Sequence, residues 1–181
     1  MRRHLIPLLG LLLVACGSPS PKQTYRSTQR DLSRSSNAFD ADTQERITDR
    51  VARLCEEYRA GKIQTAEDLH YTAAVLWRAQ DVESLDLGIV IAHLADQKGH
   101  PNSLKYAAYA TDRQCLMRGK PQRYGTQMAY SLVNDRWSLY ATNPITTDQE
   151  RAKMGIPPLA DLQARADRKN AEPNTLPLGS R

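Results

Sequence analysis

The side chains best suited to bind a ligand cluster in one connector, residues 119–127, which reads Gly-Lys-Pro-Gln-Arg-Tyr-Gly-Thr-Gln. Its two glycines permit backbone conformations that other residues avoid. Its cations and amides are groups that hold an anion or a peptide backbone. One interpretation is therefore a binding site formed by the residues Lys120, Gln122, Tyr124, Thr126 and Gln127. The alternative, equally open from the residues alone, is a tightly hydrogen-bonded turn.

Candidate catalytic residues lie upstream of this connector. His93 and Asp96 are three residues apart on an apolar stretch, so on a helix they can share a ligand or a proton. A hydrolase-like enzyme would use His93 as general base, with Asp112 nearby and Arg113 or Lys120 stabilising an anion. The simpler explanations are structural. His93 would lie on the solvent-facing side of its helix, and Asp112 and Arg113 would form a solvated ion pair. The spacing supplies no third metal ligand, so no metal site is predicted.

Helices must position these residues. The spacing of apolar residues predicts helices over 40–60, 65–80, 84–99 and 102–118. The third is apolar around most of its circumference, which predicts the central and most buried helix. The fourth has an inner face of mostly small residues that lets a neighbour approach closely: Leu104, Ala108, Thr111 and Cys115. Two short helices, 147–154 and 159–169, are predicted after them, separated by a Pro-Pro pair.

Between the fourth helix and these short ones, residues 124–142 alternate in polarity, which predicts a β-hairpin. A two-residue turn at Asn134-Asp135 would pair Leu132 with Trp137. The same register pairs Tyr130 with Leu139 and Met128 with Ala141. All three pairs lie on one side of the ribbon, which must pack on the helices because a lone hairpin is marginally stable in water. The predicted fold class is thus mainly α, a four-helix body with one hairpin and two C-terminal helices.

Two of the three cysteines, Cys55 and Cys115, are candidates for a disulfide because both lie on predicted inner faces. The bond would close a loop of about 60 residues and stabilise the fold by roughly 4 kcal/mol. The alternative is two separate buried thiols that behave as small apolar residues. Neither lies beside a histidine in a recognisable catalytic context.

The third cysteine, Cys16, ends a segment with the features of an export signal. Arg2 and Arg3 precede an apolar run of about ten residues, too short to span a bilayer, which needs about 20. The sequence Leu-Val-Ala-Cys at 13–16 resembles the lipobox of bacterial lipoproteins. This resemblance implies removal of residues 1–15 and lipidation of Cys16, with several acyl chains giving stable attachment. Gly17 after the cysteine favours the outer membrane, facing the periplasm.

The segments flanking the predicted body are polar. Residues 16–39 contain almost no apolar residue, which predicts a flexible tether after the lipid anchor, and 170–181 are predicted to form a disordered tail. The body thus spans 40–169. The formal charge of the whole chain is +5, and removal of the two signal arginines leaves 23 basic and 20 acidic residues. This small excess does not indicate nucleic-acid binding, which requires a clustered basic face. No cofactor-binding motif occurs, so no cofactor is predicted.

Several motifs together resemble a known family. They are Thr-Asp-Arg at 111–113, Gly-Lys-Pro-Gln at 119–122, Tyr-Gly-Thr-Gln at 124–127, Arg151 and Gly-Ile-Pro-Pro-Leu at 155–159. This pattern, over roughly residues 66–166, resembles a bacterial family described as domain of unknown function 6624, whose helix with a histidine and a nearby aspartate is similar to the one with His93. The resemblance implies no activity, since none is established for the family. It implies that His93, Asp112, Arg113 and the 120–127 connector converge on one polar site.

Three functions remain open at this point. The leading hypothesis is a non-catalytic binding or interaction lipoprotein of the cell envelope, whose partners are the membrane, through the lipid on Cys16, and an envelope protein. It is favoured because no catalytic constellation is assembled in the sequence. The second is the hydrolase-like enzyme with His93 as base, which requires His93 to lie near Asp112, Arg113 or the connector amides. The third is a short helical-repeat scaffold, for which no period of about 34 residues is evident.

Overall fold

The computed structural model of the protein describes residues 17–35 and 40–171. Within these ranges the chain is mainly helical, as predicted, with a single two-stranded antiparallel hairpin. The helices are α1 (Pro21–Arg34), α2 (Ala41–Arg59), α3 (Ala66–Leu76), α4 (Val82–Gln97), α5 (Leu104–Met117), α6 (Asp148–Lys153) and α7 (Leu159–Ala171), and the strands are β1 (Met128–Ser131) and β2 (Arg136–Leu139). The predicted helices at 40–60, 65–80, 84–99 and 102–118 correspond to α2, α3, α4 and α5.

Helix α3 lies at the centre of the helical body. It packs against α1, α2, α4 and α5, and seven of its eleven residues are buried, including the unbroken run from Thr72 to Leu76. Thr65 caps its N-terminus by accepting a hydrogen bond from the Asp68 N–H. The apolar cluster of the body combines this run with Leu54 of α2, and with Leu85 and Ile91 of α4.

The prediction that 84–99 forms the most buried helix is wrong. Only five residues of α4 are buried, and Val90 is 52% exposed. Gly88 explains how α4 meets the centre: a Cβ there would lie 3.0 Å from the Leu76 Cβ, so the two backbones are in close contact. Helix α4 is therefore an outer helix with one buried side, because α1 occupies the far side of α3 and makes α3 the middle of the bundle.

Residues Pro21–Arg34, predicted as part of the flexible tether over 16–39, form helix α1. Ser20 and Gln23 form a reciprocal capping box and Pro21 opens the helix, which is a strong start signal. The buried hydroxyls of Thr24 and Thr28 donate to carbonyls of their own helix. Asp31 accepts from Arg50 of α2 at 2.6 Å. The tether prediction was wrong for residues 21–34 because it counted only the number of apolar residues. This helix docks through hydrogen bonds and ion pairs, and its few apolar side chains, Tyr25 and Leu32, pack against the core.

Helix α5 begins at Leu104, and its buried face differs from the predicted one. Ser103 occupies the N-cap position without a side-chain capping bond, and Asn102 before it has a φ of +61°. The inner face is not Leu104, Ala108, Thr111 and Cys115, of which only Ala108 is fully buried. The face is instead formed by Tyr106, Ala107, Ala108, Ala110, Asp112 and Gln114. The predicted stripe is wrong because two polar residues, Asp112 and Gln114, are buried by hydrogen bonding.

The hairpin forms, but its register differs from the predicted one by two residues. Met128 pairs with Leu139 and Tyr130 with Trp137, so the connection is a four-residue loop rather than a two-residue turn. Asp135 in this loop has a φ of +51°, and its carboxylate accepts from the Tyr130 hydroxyl. A shift of two residues leaves every side chain on its original face because side chains alternate along a strand. The predicted apolar side therefore survives, whereas Leu132 lies in the loop and is exposed.

The hairpin packs against α7. Asn170 holds the contact by donating to the Trp137 carbonyl at 2.9 Å and accepting from the Trp137 N–H at 2.6 Å. Residues 170 and 171 thus belong to α7, not to the predicted disordered tail. The two predicted C-terminal helices correspond to α6 and α7, and Thr147 opens α6 with a capping box. Strands β1 and β2 with α6 and α7 are called the C-terminal unit below.

The signal segment, Cys16 with its predicted lipid, and residues 172–181 lie outside the described residues. None of the helices within 17–35 and 40–171 combines the length and the apolar character that crossing a membrane requires.

Candidate functional site

Asp112 anchors the connector. Its side chain is fully buried on α5, and its two carboxylate oxygens accept four hydrogen bonds from the connector. The N–H groups of Arg123 and Tyr124 donate to Oδ1 at 2.7 and 2.8 Å. The N–H and hydroxyl of Thr126 both donate to Oδ2 at 2.8 Å. A carboxylate that receives several backbone N–H bonds fixes the chain around it.

Gln122 is a second internal anchor and is also fully buried. Its amide nitrogen donates to the carbonyls of Gln127 and Tyr140, and its amide oxygen accepts from the Gln127 N–H at 2.8 Å. Its backbone bonds the segment after β2, donating to the Ala141 carbonyl and accepting from the Asn143 N–H. Its polar groups are therefore used within the protein.

Arg151 connects the connector to α6. Its guanidinium is 2% exposed; Nε donates to the Tyr124 carbonyl at 3.0 Å, and Nη1 donates to the Thr146 carbonyl and to Asp148. Nη2 is buried and bonds no atom of the described residues. Arg151 thus connects the connector, at Tyr124, with the loop before α6, at Thr146, through hydrogen bonds.

These contacts favour the structural alternative for most of the connector. Gln122 and Tyr124 are buried and are not available to a ligand; Tyr124 packs with Ala108 and Ile156. Lys120 is exposed, and no hydrogen bond of its side chain is found in the described part of the chain. Thr126 and Gln127 are the two predicted binding residues that line a cleft.

No hydrogen bond or ion pair within the described residues links His93 to Asp112, Arg113 or the connector. Arg113 points to the turn after α3, where its Nε donates to the Ala79 carbonyl at 2.9 Å, and burial lowers its pKa. The amide nitrogen of the neighbouring Gln114 donates to the Asp86 carboxylate at 2.7 Å. This bond shows that Gln114 of α5 and Asp86 of α4 lie at the same position along the two helix axes. His93 is seven residues beyond Asp86, about 10 Å along the helix axis, and its side chain is exposed. The solvent-facing explanation for His93 is the one that agrees with this geometry.

The predicted disulfide is absent, because Cys55 and Cys115 are both free thiols. Cys55 is buried and its sulfur donates to the Ser84 hydroxyl of α4 at 3.9 Å. Cys115 lies near the start of the connector, where its carbonyl accepts from the Lys120 N–H. Burial raises the pKa of both thiols, so they are protonated at neutral pH. The two thiols behave as the separate small residues of the alternative interpretation.

A cleft of about 780 Å³ lies between the helical body and the C-terminal unit. This volume is in the range of small-ligand sites. One wall comes from the end of α3 and from α5, with Trp77, Arg78 and Tyr109. The other walls come from the end of the connector, the hairpin and α7, with Thr126, Gln127, Met128, Trp137, Asp161, Arg165 and Arg168 among their residues.

The residues that follow the end of α3 form part of the first wall of the cleft. The sequence predicts that it reaches residue 80, but it ends at Leu76, and the N–H groups of Arg78 and Ala79 bond carbonyls only three residues back. This tight turn carries Trp77 and Arg78 to the cleft. The Arg78 guanidinium stacks 4.1 Å from the Trp77 ring and donates to the Ala74 carbonyl at 2.8 Å. Trp77 also contacts Tyr109, with ring centroids 5.1 Å apart.

Sequence reasoning missed most of the cleft. It assigned no functional role to Trp77, Arg78, Arg165 or Arg168. One signal was present: the chain has only two tryptophans, and both line the cleft. The residues come from segments up to about 90 positions apart, so no local spacing could join them.

A second buried polar cluster lies at the other end of α3. His70 Nδ1 shares a hydrogen bond with the Ser103 hydroxyl at 2.9 Å, and its ring stacks on His100 at a centroid distance of 3.8 Å. Burial, together with His100 and Lys105, lowers the pKa of His70 to about 4. His70 is a packing residue, and Ser103 is fully buried.

No family model, no curated protein and no solved structure matches this chain. The resemblance to domain of unknown function 6624 therefore stays a prediction. Of the residues that the resemblance brings to one polar site, Asp112 bonds the connector, whereas no hydrogen bond or ion pair in the described chain connects His93 to it.

Proposed function

We propose that this protein is a membrane-anchored lipoprotein of the cell envelope whose folded domain binds a ligand or partner in the cleft between the helical body and the C-terminal unit. The observation that carries the binding role is the cleft lining. It combines both tryptophans of the chain with three arginines, and aromatic and arginine side chains are the residue types that dominate binding energy at protein surfaces.

The anchor part of the proposal is supported by the sequence at 13–16 and by the position of α1. Four residues, 17–20, separate Cys16 from the first residue of α1. A segment of this length spans at most about 14 Å when fully extended. A lipid on Cys16 would then hold the body directly at the bilayer surface. This arrangement suits recognition of a partner that is itself close to the membrane.

Anchoring is tested by intact-mass analysis of the protein purified from membranes. The proposal expects a chain that begins at Cys16 and carries acyl groups, and a Cys16→Ser variant that leaves the membrane fraction. Retention of residues 1–15, or an unmodified chain in the soluble fraction, contradicts it.

Binding in the cleft is tested by crosslinking followed by pull-down from native membranes. Gln127→Ala removes a cleft side chain, and Gln97→Ala removes a matched exposed glutamine from the end of α4. We expect the crosslinked species of the wild type to persist with Gln97→Ala and to weaken with Gln127→Ala. Equal recovery from both variants would show that the cleft does not contribute to recognition.

A further inference from the structure

The charge of the cleft identifies the class of its ligand. Three guanidinium groups, those of Arg78, Arg165 and Arg168, line it beside one carboxylate, that of Asp161. Within 17–35 and 40–171 none of these three arginines takes part in an ion pair; the pairs that do occur use Lys22 of α1 and other arginines, on α2, the connector and α6. Arg165 and Arg168 are three residues apart on α7, so they project from the same side of the helix. The cleft therefore carries excess positive charge.

Arg78 is the most constrained of these cations. It is half-buried, and burial lowers its pKa to about 10, so it stays charged at neutral pH. In the described chain its guanidinium donates to one carbonyl and lies over the face of Trp77, and it forms no ion pair. A partly buried charge without a counter-charge is unfavourable, and an anion within hydrogen-bonding reach would relieve this cost.

The aromatic groups add a second requirement. Trp77, Tyr109 and Trp137 line the cleft together with the three arginines. A ligand that suits both kinds of side chain carries anionic oxygens for the guanidinium groups and an apolar ring for the aromatic side chains.

We propose that the cleft binds a ligand with a carboxylate or phosphate group next to an apolar ring, held by Arg78, Arg165 and Arg168 against the two tryptophans. This inference rests on the proposed function and specifies the chemistry of the same site. Guanidinium groups bind both carboxylates and phosphates through paired hydrogen bonds, so the cleft by itself accepts either group.

The test follows the fluorescence of the two tryptophans while the full chain is titrated with four probes of similar size. Phenyl phosphate and benzoate are anionic, benzyl alcohol is neutral and benzylamine is cationic. We expect saturable changes with the two anions at millimolar concentration, which is the affinity usual for such small ligands. We expect binding at least tenfold weaker for benzyl alcohol and none for benzylamine. The tighter of the two anions identifies the preferred group.

Charge variants provide the control. The double variant Arg165→Ala/Arg168→Ala should weaken benzoate and phenyl phosphate binding at least tenfold. Arg30→Ala/Arg34→Ala removes two exposed arginines from α1, with the same change in net charge, and should bind as the wild type does. Circular dichroism and thermal unfolding establish that each variant is folded.

Two results would overturn the inference: no saturable change with either anion, or anion binding that the neutral probe or the Arg165→Ala/Arg168→Ala variant matches. Saturable binding of benzyl alcohol at equal strength would leave the cleft as a binding site and remove only its anion preference. The proposed function is tested by a different experiment, the crosslinking in native membranes. It is contradicted if the Gln127→Ala and Gln97→Ala variants give equal amounts of the crosslinked species.

Discussion

At the scale of single residues, most polar side chains that suggest chemistry in the sequence hold the fold together. Asp112 and Gln122 organise the connector, and Arg151 brackets it to α6. All three are buried, and a buried polar group without partners destabilises a protein. Their role is to make an irregular segment rigid, which positions Thr126 and Gln127 at the edge of the cleft.

Asp112→Asn tests this structural role. The new amide keeps one acceptor oxygen and presents an NH₂ group to donors that previously bonded a carboxylate, so at least one pair of donors loses its acceptor. We expect the free energy of unfolding to fall by about 2–4 kcal/mol, as measured by chemical denaturation. Asp49→Asn on the exposed side of α2 should change it by less than about 0.5 kcal/mol. Similar results for the two variants would refute the anchoring role.

His70 makes stability depend on pH. Its pKa is about 4 in the folded protein because of burial, with smaller effects of His100 and Lys105 opposed by Glu67, and is 6.5 for an unperturbed histidine. Between these values the unfolded state binds the proton first, so stability is lost as the pH falls from about 6.5 to about 4 and does not change above 6.5 for this reason.

The measurement compares the free energy of unfolding at pH 7 and pH 5. At pH 5, His70 should contribute a loss of about 2 kcal/mol in the wild type. His70→Gln should remove this part of the loss, while His93→Gln, at an exposed position of α4, should retain it. A loss of the same size in all three proteins would indicate that other groups cause it.

At the scale of elements, the segments with periodically spaced apolar residues form the helices that their spacing predicts. The polar segment 21–34 forms a helix instead of the predicted flexible tether. The apolar spacing of α2, α3, α4 and α5 predicts their existence, since a buried stripe requires it. The hairpin keeps its predicted faces in a shifted register. Helix α1 escaped prediction because its contacts with α2 involve threonines and an aspartate, which composition alone assigns to a solvated segment.

Arg26→Pro distinguishes a docked helix from a flexible tether. Arg26 is exposed within α1, and proline in a helix interior costs about 3 kcal/mol because it removes a hydrogen bond and clashes with the preceding turn. We expect a clear fall in the free energy of unfolding, up to this amount, in urea denaturation. Arg26→Ala should leave it nearly unchanged. A proline variant as stable as the alanine variant would mean that α1 does not contribute to the folded body.

At the scale of the whole molecule, the candidate site is a product of how the helical body and the C-terminal unit meet. Asp112 and the small cluster of Ala108, Tyr124, Ile156 and Leu162 join the two parts. The cleft opens beside this joint, and its aromatic and cationic groups come from both sides. Ligand binding should therefore respond to the cleft residues on either side, and the titrations with charged and neutral probes are designed to detect that response.

The sequence alone determined the helical body, the apolar side of the hairpin and the two C-terminal helices. These properties depend on residues close together in the sequence, where the period of an apolar stripe or the order of a few residues carries the information. Only the tertiary structure decided that α1 docks on the body, that Asp112 and Gln122 are internal anchors, that Cys55 and Cys115 stay apart, and that Trp77, Arg78, Trp137 and Arg165 share a cleft. A buried polar group is stable only with its partners, and those partners come from distant segments that packing brings together.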